Sequence, residues 1–210
     1  MMRNKPEWSS GIAALLTVLL LAGCAGQSPR VDFYVLSADA GTMANAGVAG
    51  KCSDQAISVG PVSWPRHLDQ PRIVTRVGQN RLEANEFNRW GGSLEDEFIR
   101  TLIKNLSDRL RSELVMNYRR SAHFAPVYRV EVDVQQFDGQ LGGDVILDVK
   151  WGIIAVTSGE LVRVKTSTIR KTTSASDYDS LVNASSMAVA QLSEEIAAQL
   201  ARVCVAAPSK

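Results

Sequence analysis

The side chains best suited to chemistry in this 210-residue chain are few: two histidines, His67 and His123, and three cysteines, Cys24, Cys52 and Cys204. A zinc site needs several His, Cys or carboxylate ligands at short spacing, and neither histidine stands at that spacing from the other or from a cysteine. Nucleophilic hydrolysis on a strand–turn–helix elbow would need Gly-x-Ser-x-Gly, which is missing. The run Gly139-Gln140-Leu141-Gly142-Gly143-Asp144 is glycine-rich like a phosphate loop. It lacks the lysine and the following helix, so it reads as a hairpin turn. Glu95, Asp96, Glu97, Glu194 and Glu195 fall on the polar faces of amphipathic segments, where solvated charge is the default. No catalytic, cofactor-binding or metal-ligating set emerges, and the sequence predicts a protein that is not an enzyme.

The cysteines carry more information than the histidines. Residues 1–10 hold Arg3 and Lys5, and residues 12–22 are apolar except for Thr17, the charged and apolar regions of an export signal. The apolar run is about half of the ~20 residues a spanning helix requires. It ends in Leu21-Ala22-Gly23-Cys24, which resembles the bacterial lipobox. The resemblance implies cleavage before Cys24, diacylation of its sulfur and acylation of the new amine; a plain signal with a chance cysteine is the alternative. Several acyl chains at ~0.8 kcal/mol per buried methylene make a firm anchor. The implied organisation is a lipoprotein signal peptide over 1–23, a lipidated tether over 24–30 and one periplasmic domain over 31–207.

An exported domain matures in an oxidising compartment, where two remaining cysteines are commonly paired. Cys52 precedes the first strong strand and Cys204 ends the last helix, so a bridge would staple the two ends of the domain. Closing so long a loop contributes on the order of 4 kcal/mol in the chain-entropy model. Two separate buried thiols remain the other reading. The leader takes Arg3, Lys5 and Glu7 with it, so the chain's 23 basic and 22 acidic residues fall to 21 of each. That balance gives no reason to expect nucleic acid or an anionic membrane surface as partner.

The elements follow from periodicity. Residues 31–37 and 57–62 read as strands, separated by an Ala/Gly-rich linker over 38–50, and prolines 61, 65 and 71 make 64–71 a structured loop. Residues 73–78 and 82–87 flank a hairpin turn at 79–81. Ser93 caps a helix whose first turn carries three acids. Its face of Leu94, Phe98, Leu102, Leu106, Leu110 and Leu114 extends the helix to about Met116. Residues 127–137 alternate strictly, placing Tyr128, Val130, Val132 and Val134 on one face, as in a half-buried strand. Strands over 145–156 and 161–171 follow. A last helix, capped by Asp177 or Ser180, buries Leu181, Ser185, Val189, Leu192, Ile196 and Leu200. The predicted fold class is α+β: a two-layer, mostly antiparallel sheet with two long helices packed on one face, in the order β-β-β-β-α-β-β-β-α.

Several loop residues suit an interface as well as a core. Trp64 and Trp90 can seal the sheet edge or anchor a partner, whereas Trp151 falls inside an apolar strand. Arg72, Arg76 and Arg89 can bridge to Glu83 or Glu86, or face a partner. With Arg66 and His67 of the proline-rich loop, the candidate partner contacts are Trp64, Arg66, His67, Arg76, Arg89 and Trp90.

Ile57-Ser58-Val59-Gly60-Pro61-Val62, Leu68-Asp69-Gln70-Pro71, Ile73-Val74-Thr75-Arg76 and Phe87-Asn88-Arg89-Trp90 together resemble the PqiC/YmbA family. These are auxiliary lipoproteins of ABC-type and MCE-type lipid transport systems. Phe33-Tyr34-Val35-Leu36 and Asn105-Leu106 extend the resemblance over the mature chain. It implies a non-catalytic part without cofactor, held by Cys24 in the outer membrane and facing the periplasm. There it docks MCE-domain or ABC transporter proteins and supports envelope integrity. Ala25 stands where an aspartate would favour inner-membrane retention. A homo-oligomer suits a part that meets a multimeric transporter. A lipid-binding carrier with a cavity between sheet and helices is the alternative function.

Overall fold

The computed structural model describes residues 29–38 and 52–206; Cys24, the signal and most of the 38–50 linker lie outside them. Within the compact unit Val31–Lys210, eight strands form one mixed sheet and two long helices complete an α+β fold. The strands are β1 (Asp32–Tyr34), β2 (Ile57–Ser63), β3 (Arg72–Arg76), β4 (Leu82–Trp90), β5 (Val115–Asn117), β6 (Tyr128–Gly139), β7 (Asp144–Ala155) and β8 (Glu160–Thr172). Helix α1 (Leu94–Leu110) follows β4, and α2 (Tyr178–Ala206) closes the domain.

Strand β6 organises the sheet. One edge pairs antiparallel with β7, which pairs antiparallel with β8. Along the other edge β2 and β3 lie end to end, both parallel to β6, at residues 128–133 and at Gly139 respectively. Strand β4 is antiparallel to β3, while β1 and β5 add parallel pairings to β4 and β2. The expectation of a mostly antiparallel sheet is therefore corrected to a mixed one. Alternation reveals which side of a strand is buried, but not the direction of its neighbour.

The element order differs in one place. Helix α1 stops at Leu110, where Arg111 adopts left-handed φ 50° and the Ser112 N–H reaches back to the Ser107 carbonyl at 3.0 Å. That reversal caps the helix a turn and a half before the expected end. Leu114 continues the four-residue spacing by coincidence, and residues 115–117 form β5 beside β2.

The core lies between the sheet and the helices. From β6 it takes Val130 and Val132, from β7 Leu147, Val149 and Trp151, and from α1 Phe98, Leu102 and Leu106. From α2 it takes Val189, Leu192, Ile196 and Leu200. A bulge after Val134 resets the alternation of β6, so Phe137 rather than Gln136 turns inward. Strand β2 accommodates Pro61 through a bulge between Val59 and Val62, with Gly60 at φ 113°, a region natural to glycine alone. Asp177 caps α2, its Oδ1 accepting from the Ser180 N–H at 2.7 Å. Cys52 and Cys204, whose Cα atoms are 5.6 Å apart, are joined by a disulfide. No described helix is long and apolar enough to cross a membrane.

Candidate partner-docking surface

Three of the resembling segments, at 33–36, 68–71 and 87–90, meet at one corner of the domain. The β2–β3 loop meets the end of β4 through the Trp90 N–H, which donates to the Pro71 carbonyl at 2.7 Å. Strand β1 joins the same corner through the Gly91 N–H and the Tyr34 carbonyl, also 2.7 Å apart. Tyr34 Oη donates to Asn88 Oδ1 at 3.0 Å, and its ring lies 6.2 Å from that of Tyr178 at the start of α2. Burial, followed by the carboxylates of Asp179, Asp32 and Asp177, holds the Tyr34 phenol above its ordinary pKa and keeps it protonated.

Strand β4 carries the local irregularity that shapes this end. Its register against β3 slips between Arg72 and Val74, so residues 85–88 are thrown out of the ladder. Asn85 Oδ1 stitches the excursion by accepting from the N–H groups of Phe87 and Asn88 and from Asn88 Nδ2, each at 2.9 Å. Glu86, on the same excursion, accepts from Arg72 Nη1 at 2.6 Å and lies 3.7 Å from Arg89 Nη2. Arg89 Nε also donates to the Glu86 carbonyl at 2.9 Å. Bulges re-aim side chains, and this one leaves Phe87 exposed. Phe33 and Val35, on and just after the edge strand β1, are more exposed still, at 68% and 55%.

The six candidate contact residues divide sharply. Trp90 is 7% exposed and belongs to the core. Trp64 packs its ring against Phe98 and Phe137, with centroids 5.5 and 6.1 Å away, and its Nε1 is buried without a partner. Arg76 reaches neither Glu83 nor Glu86. Its Nε and Nη2 donate to the two oxygens of Asp138, both at 2.8 Å, and its Nη1 donates to the Gln79 carbonyl. The bidentate bond to Asp138 raises the Arg76 pKa against the opposing effect of burial, and the guanidinium stays charged. Arg89 is held by Glu86 but half-exposed. Arg66 and His67 remain exposed on a 3-10 turn pinned by buried Leu68 and by the Gln70 Nε2 bond to the His67 carbonyl.

The surface thus combines exposed apolar side chains (Phe33, Val35 and Phe87) with a salt-bridged fork and the exposed Arg66 and His67. Sequence reasoning passed over the three apolar residues. The available signal was in residues 31–36, where apolar side chains occupy both alternating faces of one short strand. Such a surface can bury apolar area and pair charge. Among the described residues no three His, Cys, Asp or Glu side chains come together as a metal site.

Comparisons with known proteins bear on the fold and the family. A search of curated proteins found no match. Among solved structures, the crystal structure of an uncharacterized protein is similar at 20% identity and TM-score 0.67, covering 82% of this chain and 99% of that one. A DUF330 protein from Xanthomonas campestris is similar at 18% identity and TM-score 0.61, covering 70% of this chain and 84% of that one. At these identities the likeness is one of fold. The model of the ABC-type transport auxiliary lipoprotein component family matches residues 34–197, from the end of β1 through the β4 bulge and all of α1 into α2, and the chain belongs to that family.

Proposed function

We propose that the protein is a non-enzymatic lipoprotein of an MCE/ABC-type intermembrane lipid transport system. Acyl chains on Cys24 hold it in the outer membrane, and the β1–β4 end docks the MCE-domain partner in the periplasm. The observation that carries this reading is the exposed apolar group Phe33, Val35 and Phe87 around the Arg72–Glu86–Arg89 fork. Interfaces concentrate aromatic and arginine side chains in this way. Family membership supplies the transport context. Docking is favoured over a carrier role because the space between sheet and helices is filled by Phe98, Phe137, Trp151 and the leucines of both helices.

The test is photo-crosslinking in cells from residue 33 or 87 of the full chain. Recovery of an MCE-domain protein, lost on Cys24→Ser together with resistance to detergent, is the expected outcome. Full complementation of a deletion by a secreted, unanchored form would defeat the tethering reading.

A further inference from the structure

A second surface lies between α1 and the turn that follows β5. After β5 the chain makes a 3-10 turn, Tyr118–His123, and reaches β6 through residues 124–127. Between Glu113 and Glu131 there is no acidic residue. The turn is rigidly set: Asn117 Oδ1 accepts from the Arg119 N–H at 2.8 Å, and buried Ser121 donates its hydroxyl to the Tyr118 carbonyl at 2.8 Å. Tyr118 is seated over Gly60, where an added Cβ would lie 3.2 Å from the tyrosine Cβ, and Arg129 stacks 5.6 Å from its ring centre.

This scaffold presents apolar and cationic groups together. Tyr118, Phe124 and Val127 are exposed, Phe124 by 56%. Arg119 and Arg120 are exposed and form no ion pair or side-chain hydrogen bond among the described residues. They line a cleft of about 640 Å³ with Asn117 and, from α1, Asp96, Ile99, Arg100 and Ile103. Arg100 is bridged to Glu97, so Asp96 alone opposes the two unpaired guanidinium groups. A cleft of this size takes a small polar headgroup. Guanidinium forks match phosphate oxygens, and exposed aromatic rings settle at the headgroup level of a bilayer.

We infer that the cleft between α1 and residues 117–127 binds the phosphate of an anionic phospholipid in a membrane surface, with Tyr118, Phe124 and Val127 seated in the interface around it. The even charge of the whole chain conceals this local excess. The contact uses none of the residues assigned to docking and needs no transport partner.

Hydrogen exchange on the full chain tests it, with the protein bound to vesicles of phosphatidylcholine alone or mixed with phosphatidylglycerol. Two arginines beside an anionic surface correspond to about thirtyfold in local occupancy. Amides of residues 119–125 should therefore exchange more slowly on the anionic vesicles, up to that factor. The protection should vanish in Arg119→Ser/Arg120→Ser and grow in Asp96→Asn, with thermal unfolding of the arginine variant unchanged. Equal exchange on both vesicles, protection that survives the arginine variant, or protection that appears only when an acidic envelope protein is added would overturn the proposal.

Discussion

Arg72, Arg76 and Arg89 on β3 and β4 all end against carboxylates, whereas Arg119 and Arg120 in the turn after β5 end against none among the described residues. The two groups look alike along the chain. What separates them is delivered from afar: Asp138 comes from the far end of β6, 62 positions from Arg76, and the β4 excursion lifts Glu86 between Arg72 and Arg89. The aromatic residues divide the same way. Trp64 turns into a ring cluster, while Phe124 faces out. Loop position therefore does not separate exposed from buried side chains in this molecule; the partner supplied by another element does.

The largest expected effect breaks that comparison at the aromatics. Trp64→Ala opens a void beside Phe98 and Phe137 and should cost about 3 kcal/mol, the low end for a large aromatic because Trp64 is only partly buried. Phe124→Ala should change stability by less than about 0.5 kcal/mol. Urea unfolding of the two variants reads the contrast directly. Equal losses would mean that Phe124 is packed as Trp64 is.

The arginines supply the next effect. Asp138→Ala removes a carboxylate whose side chain is 1% exposed and leaves Arg76, 29% exposed, without its bidentate partner. Breaking fully buried pairs costs about 3–5 kcal/mol, and water reaching Arg76 should bring the loss here to about 2 kcal/mol. Glu86→Ala removes an exposed partner of two arginines and should cost no more than about 1 kcal/mol. If the two substitutions cost the same by urea unfolding, burial of the carboxylate is not what distinguishes the pairs.

Much of the scaffold was legible in local pattern. The stripe from Phe98 to Leu110, the alternation of Val130, Val132 and Val134, and the face from Leu181 to Leu200 are all buried as their spacing requires. Each needs only one element and one apolar side. The features that escaped depend on something outside the element. The end of α1 rests on a left-handed Arg111, a conformation that an ordinary residue type does not announce. The parallel pairings of β1, β2 and β3 depend on which strands meet, and β5 exists because residues 115–117 find β2. The exposed Phe87 follows from a bulge stitched by Asn85, and the fate of Arg76 from Asp138. The site was therefore less readable than the fold, since its character rests on long-range partners.

Glu195 and Lys165 sharpen the comparison from between its extremes, with the smallest expected effect. Glu195 on α2 accepts from Lys165 Nζ at 2.6 Å and from Ser167 Oγ at 2.7 Å, both on β8. Burial pushes the Glu195 carboxyl up, but the bonds from Lys165 and Ser167, with the lysine's charge and Gln191, outweigh it and leave the pKa below its ordinary value. A carboxyl lowered on folding adds stability above its unfolded pKa, and that share is lost as pH falls through the folded value. Wild type should therefore exceed Glu195→Gln at neutral pH, by less than about 1 kcal/mol because Lys165 stays half-exposed. The gap in urea midpoint should begin to close below the ordinary carboxyl value of 4.5 and shrink further with acid. A gap that does not change between neutral and strongly acidic pH would show that Glu195 acts through packing against β8 rather than through its charge.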